Sequence, residues 1–135
     1  CEEQYAKDNN LEILGRIVST AVQGCKPDTM GLGPIGASQK ALERAKLTIK
    51  DINIVELNEA FASQSLACIK DLQIDQNKVN IEGGALALGH PLGATGARIV
   101  GKAAQLLKRE NQKYALATQC IGLGMGIATI IESVE

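Results

Sequence analysis

Two apolar runs, Tyr114 to Ile121 and Met125 to Ile131, are separated by Gly122-Leu123-Gly124 alone. So short a glycine-bearing connection predicts an antiparallel hairpin. Upstream the pattern is different. Leu14 to Val22 and the β-branched run Ile52 to Leu57 read as strands, with a brief third candidate at Val79 to Ile81. Between and around them lie helical stretches. Residues 2–9 form a short polar one, and Ala37 to Leu47 is rich in helix formers with Pro34 just upstream. After Asn58, the residues Phe61, Ser65, Cys68 and Leu72 recur on one helical face, and Gly93 to Lys108 reads as a second long helix. Strand–helix alternation closed by a hairpin implies an α/β domain with a mostly parallel sheet and one antiparallel edge strand.

The second long helix carries Gly93, Gly96, Ala97 and Gly101, small residues that let another backbone come close, so it is expected to lie buried between layers. With one Phe, two Tyr and no Trp, the core must be built from Ile, Leu, Val and Ala. No repeat, low-complexity tract or linker divides the 135 residues, which fit one domain, 1–135.

Composition removes several classes of function. The net charge of −1, with both signs mixed, lacks the clustered basic face of a nucleic-acid binder. One histidine and four cysteines, at 1, 25, 68 and 120 without close pairs, do not make a zinc site, and reduced thiols in a cytoplasmic protein are the expectation. The most apolar segment, Ala115 to Ile131, is interrupted by Thr118, Gln119 and glycines, so no membrane span is expected. The start, Cys1-Glu2-Glu3-Gln4, is neither an initiator Met nor a signal peptide, and the chain reads as a fragment of something longer.

Three polar residues stand at or just beyond the carboxyl ends of the expected strands: Asn58, His90 and Cys120. That is the end where α/β sheets hold their ligands. Each has a plain reading beside a chemical one. Asn58 is either the N-cap of the helix that follows or an amide that holds a water against a thioester oxygen. His90, between Gly89 and Pro91, is either a solvated loop residue or a neutral imidazole able to take a thiol proton or donate a hydrogen bond to a developing oxyanion. Cys120 is either a small apolar filler or a chemically active thiol beside a glycine turn whose accessible N–H groups can stabilise a thioester oxyanion. The glycines Gly89, Gly93 and Gly96 lack the spacing of a dinucleotide fingerprint, and no phosphate-loop Lys follows them.

Taken as a set, Asn58-Glu59-Ala60-Phe61, Gly83-Gly84-Ala85 through Gly89-His90-Pro91, Cys120-x-Gly122 and Met30-Gly31-x-Gly33-Pro34 resemble the C-terminal domain of thiolases. The resemblance implies a thiolase-like α/β fold, a mixed five-stranded sheet in the order 3-2-1-4-5 covered by helices. It implies that His90 activates a nucleophilic cysteine carried by an absent N-terminal domain, and that Asn58 holds a water in one oxyanion hole. Cys120 would be the acid/base of Claisen condensation or thiolysis, Gly122 N–H would help form a second oxyanion hole, and Phe61 would line the acyl pocket. The activity implied is acyl transfer between acyl-CoA or acetyl-CoA substrates, acetyl-CoA C-acetyltransferase foremost. The alternatives are a degradative 3-ketoacyl-CoA thiolase of fatty-acid β-oxidation or a non-catalytic binding or assembly domain. No metal and no organic cofactor beyond CoA is implied. The partners implied are the N-terminal thiolase domain and further copies in a homodimer or homotetramer, with no nucleic acid and no membrane. The fragment alone is expected to be inactive. Leu123 and Gly36 depart from residues frequent in the family, glycine and proline respectively.

Overall fold

The computed structural model describes residues 1–134. In chain order the elements are α1 (Glu3–Asp8), β1 (Arg16–Gly24), α2 (Gly33–Ala45), β2 (Ile54–Leu57), α3 (Ala62–Leu72), α4 (Ala85–Leu88), α5 (Thr95–Arg109), β3 (Tyr114–Ile121) and β4 (Met125–Glu132). Short 3-10 turns at Pro27–Leu32, Ile49–Asp51 and Gln76–Lys78 connect them. The hairpin forms as expected, with Ile121 opposite Met125 and Cys120 opposite Gly126.

The sheet differs from the expectation. It has four strands in the order β1-β4-β3-β2, not five in the order 3-2-1-4-5. Only β2 and β3 run parallel, whereas β4 is antiparallel to both β3 and β1. The hairpin leaves the outer edge of β4 free, and β1 pairs there rather than at the centre. The segment expected as a further strand, Val79 to Ile81, contributes a single bridge from Val79 to Val55. Asn80 ends it by turning into the left-handed region (φ 46°), a conformation asparagine tolerates. Its side chain then substitutes for a strand: Oδ1 accepts from Leu57 N at 3.0 Å and Nδ2 donates to Leu57 O at 2.8 Å. The open edge of β2 is thereby satisfied, as buried backbone groups must be.

Alternation along the strands builds two cores. Val55, Leu57, Leu116, Ala128 and Ile130 pack under α2 and α3 with Ala37, Ala41, Cys68 and Leu72. Ile54, Ala115, Ala117 and Ile131 meet Ile99, Ala103, Leu106 and Leu107 of α5 on the other face. Helix α5 is thus buried along one side only; Gly93, Ala97 and Gly101 are exposed, so the small-residue side expected to lie between layers is open. At the other face, a Cβ on Gly126 would fall inside the backbone of Gly33, which is how β4 and the start of α2 come so close. Glu82 holds the segment before α4 to α5 by pairing with both Lys102 and Arg109.

Candidate active site

Strand β2 ends at Leu57, and the next backbone N–H, of Asn58, still bonds across to Thr118 of β3 at 2.9 Å. Asn58 is fixed at the sheet's carboxyl end, 0% exposed. It is not a helix cap: α3 starts at Ala62, and Phe61 occupies the capping position. Instead its Nδ2 faces His90 Nε2 at 3.3 Å. The neighbouring Glu59 accepts a hydrogen bond from Leu86 N at 2.9 Å. Two consecutive residues therefore grip the two ends of the segment that carries His90. Between those ends, Gly89 adopts φ 88°, a left-handed turn that releases α4 and swings His90 back toward Asn58.

The other imidazole nitrogen is held as well. His90 Nδ1 lies 2.7 Å from Thr95 Oγ1, and Thr95, 0% exposed, donates its one hydroxyl proton to Pro91 O at 3.0 Å. With that proton committed, Oγ1 can only accept from His90, so Nδ1 carries the ring proton and Nε2 keeps its lone pair. The amide N–H of Asn58 is the matching donor. His90 is thus half-buried and held at both ring nitrogens rather than free in its loop. Thr95 was not singled out in the sequence, although a hydroxyl four residues after a loop proline at a helix start is a readable signal.

Cys120 is the penultimate residue of β3 and half-buried. Burial pushes its thiol above the ordinary range, and the proximity of Cys25 adds to this. A thiol so placed stays protonated at neutral pH and can donate. By alternation it shares the face of Leu116 and Thr118, toward α2 and α3, whereas His90 and Thr95 approach from the α5 side. Among the described residues no hydrogen bond joins the two groups. Cys25 and Cys68 lie within electrostatic reach of Cys120. Cys68 is fully buried, its thiol raised to about 11 chiefly by burial, and it donates to Gly31 O at 3.4 Å.

Gly122 is exposed, with open space around its Cα, so its backbone is reachable from solvent. Phe61 is 65% exposed rather than on the buried face of α3, and Leu86 and Leu88 of α4, Leu92 after His90 and Leu123 in the hairpin turn are exposed near the polar residues in sequence. A groove between the first residues of the chain and α5 contains none of these groups.

Residues 11–133 match the family model described as "Thiolase, C-terminal domain". The chain belongs to the thiolase C-terminal domain family. It is 54% identical over 133 residues to a 3-ketoacyl-CoA thiolase of Vibrio parahaemolyticus, covering 96% of this chain and 34% of that protein. A 3-ketoacyl-CoA thiolase of Vibrio cholerae is 56% identical with the same coverage. Among solved structures, human mitochondrial 3-ketoacyl-CoA thiolase, also solved in complex with CoA, superposes with TM-score 0.96 at 48% identity over 99% of this chain and 34% of that one. The Bacillus anthracis acetyl-CoA acetyltransferase gives 0.95 at 43%, over 98% of this chain and 34% of that one. The chain spans about a third of the length of the relatives it matches. No helix among the described residues is long and apolar enough to cross a membrane.

Proposed function

We propose that this chain supplies the proton-transfer groups of a 3-ketoacyl-CoA thiolase, completed by an N-terminal thiolase domain that brings the nucleophilic cysteine. The observation that carries the reading is the Asn58–His90–Thr95 chain at the end of β2, in a sequence more than half identical to 3-ketoacyl-CoA thiolases. Those relatives move the preference away from acetyl-CoA C-acetyltransferase, which the sequence placed first and which is represented at 43%. A non-catalytic binding domain would have no need of a buried hydroxyl fixing one imidazole tautomer.

In the thiolytic direction, His90 Nε2 takes the proton of the nucleophilic thiol, and the thiolate attacks the keto carbon of the substrate. The bond between that carbon and the one next to the thioester breaks. Its electron pair stays on the departing acetyl-CoA carbon, which receives a proton from the Cys120 thiol. CoA thiol then enters, gives its proton to the Cys120 thiolate and takes the shortened acyl group, and the nucleophile leaves as a thiolate that recovers its proton from His90. Asn58, through a water, and the backbone N–H of Gly122 stabilise the oxyanions, and Phe61 lines the acyl channel. In this reading the substrates are acyl-CoA thioesters, CoA is a substrate rather than a resident cofactor, and the assembled enzyme is a homodimer or homotetramer.

The test is a substrate series with the chain reconstituted with the N-terminal region of a 3-ketoacyl-CoA thiolase. Higher kcat/KM on long-chain 3-ketoacyl-CoA than on acetoacetyl-CoA supports the proposal. Turnover restricted to acetoacetyl-CoA favours the acetyltransferase reading instead.

A further inference from the structure

Glu56 is the one charge in the otherwise apolar strand β2, yet it is 1% exposed. Neither of its carboxylate oxygens has a hydrogen-bond partner among the described residues. It shares a strand face with Ile54, toward α5, and lies two residues before Asn58 on that same alternation. Arg98 stands on α5, three residues after Thr95, and its Nε and Nη2 are likewise buried without partners. Gln119 of β3 has a buried Oε1 with no partner, and its amide nitrogen borders Gly96 of α5. Asn58 Oδ1 completes the group. Orphaned donors and orphaned acceptors thus occupy one layer, between the first turns of α5 and the carboxyl ends of β2 and β3.

A buried polar atom without a partner costs about 1–3 kcal/mol, and a charge more. Four residues in that condition side by side, with complementary donors and acceptors, are the signature of a hydrated layer, because buried water typically makes about three hydrogen bonds to such groups. We propose that Glu56 and Arg98 form a water-bridged buried ion pair that ties β2 to α5 and thereby sets the spacing of Asn58, on β2, from His90, held by Thr95 on α5. Both are positioning residues rather than catalytic ones. The inference rests on reading Asn58 and His90 as the working groups.

The charges facing Glu56 are Arg98 and Lys102 from α5 and Glu59 from the loop after β2. Burial pushes the carboxyl up to about 7 against the opposing pull of Arg98 and Lys102, with Glu59 adding to the rise. Bridging water would draw it back down by bonding to the charged form.

The test uses this chain with labelled Glu carboxyls, and its lone imidazole as the reporter of position. A bridged pair is expected to keep Glu56 ionised at about pH 6, where a dry carboxyl would be protonated. Arg98→Met should move the Glu56 midpoint upward and shift the His90 Nε2 resonance, and Arg98→Lys should restore most of both. The double variant Glu56→Gln with Arg98→Met should be less destabilised than the sum of the singles, by about tenfold in unfolding constant. A high-resolution crystal structure of the unmodified chain gives an independent readout should Arg98→Met not fold. Ordered water within hydrogen-bond reach of both side chains supports the proposal. A dry layer, or a Glu56 midpoint and His90 resonance indifferent to Arg98→Met, overturns it. Intact coupling in a reconstituted enzyme without acyl transfer would instead sink the thiolase reading and leave the pair standing.

Discussion

Replacing Thr95 by Val removes one hydroxyl and almost no volume, which makes it a clean probe of how His90 is held. In the native chain the Nδ1 proton is fixed by a 2.7 Å hydrogen bond to an oxygen that is itself fully buried. A net hydrogen bond contributes about 1 kcal/mol, equivalent to about a fivefold bias between the two imidazole tautomers. The methyl group cannot accept from the imidazole N–H, whereas the Pro91 carbonyl keeps its bonds from Ala94 N and Thr95 N. The expected loss of stability is about 1–3 kcal/mol, or about 4 °C in Tm per kcal/mol for a domain of this size. The assay is nitrogen-15 NMR of the imidazole above its titration range, unambiguous because the chain has a single histidine. The native chain should show the proton on Nδ1, Thr95→Val a mixture, and Thr95→Ser the native pattern. A native chain with its proton on Nε2 would refute the assignment of Thr95 as acceptor and of Nε2 as the base.

Gly126→Ala should be among the most damaging single-methyl additions, because the new Cβ would enter the backbone of Gly33 rather than a movable side chain. Overpacking of this kind costs about 1–3 kcal/mol or more, and an unchanged Tm would contradict the close approach of α2 and β4. Of the four thiols, exposed Cys1 should alkylate first, Cys120 later and Cys68 last. Since burial raises the Cys120 thiol, its alkylation rate should still be climbing above the pH at which an ordinary cysteine levels off. Mass spectrometry of quenched samples reads this directly, and early modification of Cys120 would remove the argument that it is held protonated.

What was legible in the sequence is what local chemistry dictates. The hairpin followed from two apolar runs and a glycine turn, and α2 and α5 from periodicity and flanking proline or glycine. The order of strands was not legible, because β1 chooses its partner only once the hairpin offers a free edge. Nor was the replacement of a fifth strand by the Asn80 side chain, a contact across more than twenty residues. At the site, the sequence placed Asn58, His90 and Cys120 at the right end of the sheet but left each open to a plain reading. In the structure Asn58 does not cap α3, and His90 has a hydrogen-bond partner at each ring nitrogen. Phe61 was misread because helical spacing was counted from a residue that lies outside α3. Glu56 was passed over, though a lone carboxylate inside an apolar strand was itself the signal.

The central claim is a division of labour, in which His90 serves acylation of the nucleophile and Cys120 serves proton transfer at carbon. The direct measurement is mass spectrometry of the acyl-enzyme in the reconstituted thiolase. The enzyme would be mixed with a saturated acyl-CoA, whose transfer to the nucleophile breaks no carbon–carbon bond, and quenched within one turnover, alongside His90→Ala and Cys120→Ala. A positioned acid or base is worth about 10²–10⁴ in rate. Cys120→Ala should therefore lose turnover by that factor, yet still acylate its nucleophile from an acyl-CoA thioester, whereas His90→Ala should remain unacylated on the same timescale. Wild-type acylation in His90→Ala, or an acyl group recovered on Cys120 itself, would contradict the account.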